Sequence, residues 1–446
     1  LIKQQIETYA KTTQKLLQID PLNHFANFEN YLITRTNNAK YRFLDGIKNE
    51  FPRETFLTIA AFYQEHGLYP EIKKLLTSKN FDDPLQYLWL ARAEDKLGNQ
   101  KKILGNLKNA ARNSPYLIFP HRKETAEILK WAIENNNSWK FKYYLGLIYW
   151  SKNRIEMAQK YFAECGNPDF APFYLSKAKL FKNAEEYSPV EDFRTALKLD
   201  NQQWRAYHNF CQHYNQNNEY GKALSIIKKG ADKFSDNYII NFDLAQTLLY
   251  NNRFKECIAV LDTIQILPNE GARYGHDTYR QAHLLWALKE YERGDFQTAI
   301  DLAQKAKLWP ENLGVGKPYN PDERIENLLL AVCYHQIDEH EKSQRLSEKI
   351  LNYSQKTSNF NSSTLISVYT LILQDKKSEA RRLYEDWEKS TNNSDIIAWS
   401  EEILFGEKGR EYELNLTNNS KEGTPWNPNN SDRDFKLVYE LLTTIK

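Results

Sequence analysis

Glycine and proline are scarce in this chain, with 16 and 15 among 446 residues. A β-sandwich or barrel turns every 8–12 residues or so and would carry more of both. Cysteine is scarcer still. Cys165, Cys211, Cys257 and Cys333 stand 46, 46 and 76 residues apart, spacings that match no metal knuckle and no redox pair. Each falls in a helical pattern beside a small-residue position, so buried and unreactive thiols are expected. Neither sign of charge dominates, since 60 Lys and Arg face 58 Asp and Glu. General nucleic-acid affinity needs an uncompensated basic surface, so no nucleic-acid partner is expected. No run of about 18 apolar residues occurs, so no membrane insertion is expected. Methionine appears once, at Met157, and the first residue is Leu1. The sequence therefore reads as an excised segment of a longer protein, and the lack of a signal peptide leaves its compartment undecided.

What is present is aromatic and periodic. Aromatic residues make up 13% of the chain, with 28 Tyr, too many for disorder. The stretch His283 to Pro310, HLLWALKEYERGDFQTAIDLAQKAKLWP, shows the plan. Leu284, Trp286, Ala287 and Leu288 give one helix an apolar side. A turn follows at Glu292-Arg293-Gly294-Asp295. Ala299, Ile300, Ala303 and Ala306 then form a narrow seam on a second helix. Small residues at that spacing let two helix backbones approach closely. So short a pair cannot bury its own apolar face and needs similar neighbours.

The neighbours are there. Residues 1 to 52 predict an irregular start of three helices, with Asp20 as a candidate N-cap before Pro21. Pairs then begin at Glu54. Their leading positions are Ile59, Leu90, Leu145, Phe210, Leu244, Trp286 and Leu330. Successive steps are 31, 55, 65, 34, 42 and 44. The 55 and 65 steps each hide a degenerate unit, and the last two each hold one unit plus an inserted loop. After Gln374 the pattern changes. SEARRLYEDWEKS and DIIAWSEEILFG predict a further helical pair, residues 407–431 an extended crossing, and RDFKLVYELLTTIK a last helix. That helix has Phe435, Val438, Leu441 and Leu442 on one face. The expected division is a helical-repeat solenoid over 1–376 and a C-terminal helical cap over 377–446.

The unit YYLGLIYWSKNRIEMAQKYFAECGNP, with Leu145, Gly146, Tyr149, Ala158, Phe162 and Cys165, resembles the tetratricopeptide repeat. The resemblance implies an all-α fold, a right-handed α-solenoid of tetratricopeptide-like helix pairs. It gives Gly146 the task of letting the facing helix approach and makes Ala158 the crossing point. Three non-repetitive stretches, Ile118 to Glu124, Ile266 to Tyr279 and Trp309 to Glu326, carry a second resemblance. They are similar to the C-terminal repeat region of bacterial proteins common in Bacteroidota, whose upstream β-rich domain is related to sugar mutarotases and has no known function. That implies a bacterial origin and hints at a carbohydrate context, and leaves open whether the compartment is cytoplasm or periplasm. The upstream domain of the parent chain becomes one conceivable partner.

Two candidate sites follow. Residues 268–282 and 311–324 are loops inserted at consecutive connections, so they should emerge side by side. They would gather Glu270, Arg273, His276, Lys317, Tyr319, Asp322 and Arg324, groups suited to acid–base work or a polar ligand. The plainer reading is a lock between repeats, with an apolar patch of Trp309, Pro310, Leu313 and Tyr319 under a polar rim that includes Glu270, His276 and Lys317. By analogy with the repeat family, the inner face of the first helices would show Trp150, His208, Gln212, Gln246 and Tyr291. Such aromatic and amide groups suit a peptide or a sugar. The Lys-then-Asn clamp that some repeat domains use for a peptide C-terminus is not matched, because those places read Tyr143 and Leu147, then His208 and Gln212. Gly314-Val315-Gly316-Lys317 lacks the spacing and the following Ser or Thr of a phosphate loop, and Pro318 follows instead. No catalytic, metal-binding or cofactor-binding residues are expected. The chain reads as a non-enzymatic interaction or scaffold segment for a protein or peptide, with a carbohydrate-binding or -processing accessory role as the alternative.

Overall fold

The computed structural model describes residues 2–268, 273–357, 360–407, 411–414 and 434–446. Every regular element among them is helical. Two compact units result, Leu1–Leu199 and Asp200–Lys446.

Unit 1 holds α1 (Ile2–Ile19), α2 (His24–Thr34), α3 (Asn37–Asp45), α4 (Pro52–Glu65), α5 (Tyr69–Thr77), α6 (Pro84–Lys96), α7 (Gln100–Arg112), α8 (Lys123–Asn135), α9 (Trp139–Ser151), α10 (Ile155–Ala163), α11 (Ala171–Leu180) and α12 (Val190–Leu199). Consecutive helices pack as antiparallel pairs, with α8 an unpaired insertion that packs on α6 and α9. Asn23, not Asp20, caps α2, accepting a hydrogen bond from the Ala26 N–H; Asp20 instead accepts from the Leu22 N–H in the preceding turn. An aromatic chain of Phe28, Phe43, Phe56 and Phe81, with ring centroids 4.8–5.3 Å apart, runs through the first pairs. Gly146 does what its spacing predicts, since a Cβ there would lie 2.7 Å from the Phe162 ring. The stretch containing Arg122 works as a tie. That guanidinium reaches back to the Glu54 carboxylate, the Glu54 carbonyl (3.1 Å) and the Thr58 hydroxyl (2.9 Å).

Unit 2 holds α13 (Trp204–Gln216), α14 (Tyr220–Lys233), α15 (Tyr238–Tyr250), α16 (Phe254–Leu261), α17 (Tyr274–Glu292), α18 (Phe296–Lys305), α19 (Arg324–Gln336), α20 (His340–Lys356), α21 (Ser363–Leu373), α22 (Lys377–Glu388), α23 (Ser394–Phe405) and α24 (Phe435–Ile445). The seam residues Ala299 and Ala303 are fully buried. First helices of successive pairs, α13, α15, α17, α19 and α21, pack on one another as well as on their partners, while the second helices stand further apart. The tighter layer is the inner side of a curved stack, so the first helices line the inner face.

One turn is built eight times among the described residues. Its fourth-from-last carbonyls are closed by a residue in the left-handed region, at Gly67, Gly98, Asn153, Asn218, Asn252, Gly294, Asp338 and Asp375. In each, the next residue's N–H bonds the carbonyl five positions earlier, as from Arg154 to Tyr149 and from Asp295 to Glu290, both 2.9 Å. This is the six-to-one closure that ends a helix. The first seven of these residues fall eight positions after the seven leading residues read from the sequence, which confirms that register at every unit. The eighth, Asp375, joins α21 to α22. The run SEARRLYEDWEKS is therefore the second helix of one more pair, packed on α21, and DIIAWSEEILFG follows it as α23. The expected crossing at 407–431 lies mostly outside the described residues. At the C-terminal end α23 meets α24, where Trp399 approaches the Phe435 and Tyr439 rings at 5.3 and 5.2 Å.

All four cysteines are buried and free. Burial pushes each thiol up to about 12, so none is a thiolate at neutral pH.

Candidate functional site

The two inserted loops do come together, through fewer residues than expected. His276 stacks on the Trp309 indole, ring centroids 3.4 Å apart, and the Arg273 guanidinium stands 5.6 Å from the same ring. The Ile266 N–H donates to the Asn312 carbonyl at 2.8 Å, and the Asn312 amide donates to the Leu261 and Ile264 carbonyls. Gly275 lies inside α17 rather than in a turn, against Ile266 and Leu313. Leu313 is buried as expected.

The polar rim does not assemble. His276 is buried under the loop because the indole covers it, and neither ring nitrogen has a hydrogen-bond partner. Lys317 turns away to pair with Glu323 at 3.0 Å. Tyr319 is fully exposed and adds nothing to the apolar patch. Glu270 lies outside the described residues. Asp322 and Arg324 pair with each other and with the next connection, the Arg324 guanidinium reaching Asn361 at 2.9 Å and Ser354 at 3.1 Å. The loops thus tie neighbouring pairs.

The inner-face candidates divide between the units. In unit 1, Trp150 stands edge-on to Phe162 and borders a half-open cleft of about 360 Å³ with Gln159, Lys179 and Asn183. In unit 2, α13 and α15 carry a linked polar group. His208 Nδ1 lies 2.6 Å from the buried Asp243 carboxylate, and the Gln212 amide donates to the other carboxylate oxygen at 2.8 Å. Behind them Asn215 donates to Thr247 at 2.9 Å. Gln246 faces the Tyr250 hydroxyl one turn on. Tyr291, near the end of α17, packs edge-on against Phe296 and lies half-buried against the core.

Burial works to lower the His208 pKa, but the hydrogen bond and charge of Asp243 outweigh it and the net shift is upward. A raised histidine pKa stabilises the folded state fully below the unfolded value of about 6.5, and that contribution is lost as pH rises through the folded value. The stability gap between wild type and His208→Gln should therefore be larger at pH 5.5 than at pH 9. Melting temperatures of both proteins at the two pH values test this, and an unchanged gap would refute the pairing.

Sequence reasoning missed the main occupant of the inner face. The last helix, α24, packs on α17, α19 and α21 together. Its start lies beside the second turn of α17, where Arg280 Nη1 donates to the Asp434 carboxylate at 2.7 Å. Its end lies beside the end of α17, Thr444 meeting Glu292 at 3.4 Å. The two helices therefore run parallel. Phe435, Leu437, Val438, Leu441 and Leu442 are buried in the contact. The apolar spacing of this helix was legible; the helices receiving it were not. Among the described residues no group of three His, Cys, Asp or Glu side chains is placed to hold a metal ion, and no helix is long and apolar enough to cross a membrane.

No protein family and no curated protein matches the sequence. Solved structures similar to the chain include the yeast Tom70, at 15% identity over 88% of this chain and 94% of that one, with a TM-score of 0.32. The C-terminal part of a tetratricopeptide-repeat-containing protein from Cytophaga hutchinsonii is similar at 13% identity over 68% and 96%, with a TM-score of 0.31. A tetratricopeptide repeat protein from Parabacteroides merdae is similar at 13% identity over 63% and 98%, with a TM-score of 0.29. Scores of this size decide nothing further, and the all-α architecture of paired helices rests on this chain's own turns and packing.

Proposed function

We propose that this chain is a protein-interaction scaffold without a catalytic role, and that its inner face receives a segment of a protein partner. The observation that carries this is α24 laid lengthwise on the first helices of three successive pairs. A surface that holds a helix of its own chain has the width and apolar character to hold a helix or strand of another. The same inner layer continues through α13 and α15, which α24 does not cover to any comparable extent. There Trp204, His208 and Gln246 combine aromatic area with hydrogen-bonding groups, the mixture that binding surfaces favour. The paired loops support a fixed spacing between repeats and therefore a rigid face.

The test compares two variants of an affinity-tagged chain purified from its native host. Trp204→Ala with Gln246→Arg alters the inner face. Lys228→Glu with Lys229→Glu alters the exposed side of α14. Mass spectrometry should show at least one stoichiometric partner retained by the second variant and lost by the first. Identical partner sets in both would end this reading.

A further inference from the structure

The seat of α24 contains a charged group that an ordinary helical core would not need. Arg280, on α17, is largely buried between two carboxylates. One belongs to Glu326 on α19, almost fully buried, which accepts from Nε and from Nη2, the latter at 3.1 Å. This two-pronged pair links the first helices of consecutive pairs and is complete without α24. It leaves Nη1 pointing along the inner face, and Asp434 meets it there. Asp434 occupies the N-cap position of α24, yet its carboxylate makes no cap hydrogen bond to its own helix. Its partner is the arginine of the groove.

Buried ion pairs add little stability over apolar packing of the same volume, and their best-attested use is to fix register. Here the register fixed is that of a helix sliding along the inner face. With the acid on Arg280, Phe435, Val438 and Leu442 fall at i, i+3 and i+7 and are buried together with Leu437 and Leu441, while Thr443 is exposed. That is the anchor pattern of a helix bound in a groove.

We infer that α24 is the resident occupant of a helix-binding groove, and that the groove's partner is an amphipathic helix opening on an acidic residue, which replaces α24 by delivering its carboxylate to Arg280. This rests on the reading of the inner face as a protein-binding surface and adds the class of partner and the contact that gates it. The groove is closed to any partner that lacks the acid or the apolar spacing. It opens to one that matches α24 in both.

The probe is a fluorescent peptide of residues 434–446, titrated into the full chain. In the variant Leu441→Asp with Leu442→Asp, α24 loses its apolar anchors while the groove stays intact. The peptide should bind this variant at least about tenfold more tightly than wild type, because the tethered competitor is gone. The same peptide carrying Asp434→Asn should bind about tenfold more weakly, and Arg280→Met in the protein should erase that difference. Equal affinity for variant and wild type would overturn the inference. So would loss of cooperative melting in the variant, which would make α24 an integral part of the core. Oxidised Glu292→Cys with Thr444→Cys should give a crosslinked monomer that excludes the peptide. A crosslinked dimer would assign the groove to a second copy and likewise overturn it. A folded variant that ignores the peptide removes the exchange alone, whereas partner loss on altering α13 and α15 is decided separately.

Discussion

Arg324→Ala is expected to destabilise unit 2 by about 3–5 kcal/mol, the cost of leaving a buried ion pair with one partner. Arg324 is 1% exposed. Its guanidinium clasps Asp322 through Nε at 2.9 Å and Nη2 at 2.7 Å, reaches Asn361 and Ser354, and lies 5.1 Å from the Tyr353 ring. It thereby joins the connection before α19 to the connection before α21. Truncation strands the Asp322 carboxylate and the Asn361 amide in one step. Arg324→Lys keeps the charge and loses the planar fork, so it should fall between the two. Burial alone would raise the Asp322 pKa, but hydrogen bonds and charge from Arg324 hold it below the usual carboxylate range. A depressed carboxylate pKa contributes stability above the unfolded value, near 3.9, that is lost as pH falls through the folded value. The gap between wild type and Arg324→Ala in urea unfolding should therefore narrow below about pH 4. A loss under about 1 kcal/mol at pH 7 would mean the cluster is solvated and the tie is not structural.

Gly314→Ala is expected to cost about 2–4 kcal/mol, from two independent sources. The residue sits at φ +76°, where an L side chain clashes with its own backbone. A Cβ there would also stand 2.9 Å from the Ile266 carbonyl oxygen, an atom that cannot move without shifting the chain. Because Ile266 precedes α17 and Gly314 precedes α19, the change would pry apart the two inserted loops. Thermal melting reads the loss. If instead the protein melted as wild type, the loops would not be holding the pairs together, and the locking role assigned to them would fall.

The repeat register was legible because the packing of a helix pair is local. Gly146 against Phe162 involves residues 16 apart, and the residue types that permit it recur at fixed positions. The turn chemistry was half visible. Glycine announces itself at 67, 98 and 294, but Asn153, Asn218, Asn252, Asp338 and Asp375 adopt the same backbone and look like ordinary polar surface. Asn and Asp tolerate that conformation because their short side chains bond locally. Asp375 carries no such signal, so the pattern alone pairs α22 forward with α23, whereas the turn at Asp375 pairs it backward with α21. The expected loop at 268–282 is largely the opening of α17, which begins at Tyr274, and the charged residues of the two insertions do not form one group. His276 is drawn inward by Trp309 and Lys317 outward by Glu323, preferences set by three-dimensional neighbours that the sequence does not order. The contact between Arg280 and Asp434 spans 154 residues, and nothing local signals it.

The parallel run of α24 beside α17 has a mechanical meaning. A load applied through Lys446 pulls along the axis of α24, so its contacts with α17, α19 and α21 resist together, as rungs sheared at once. A load applied from the Asp434 end, directed away from the face, meets the Arg280 contact first and then the apolar anchors one by one. The helix thus resists load along its axis and yields to load directed away from the face, whichever end bears it. A partner that frees the groove does so with least force by lifting α24 off the face from one end, not by drawing it along its axis.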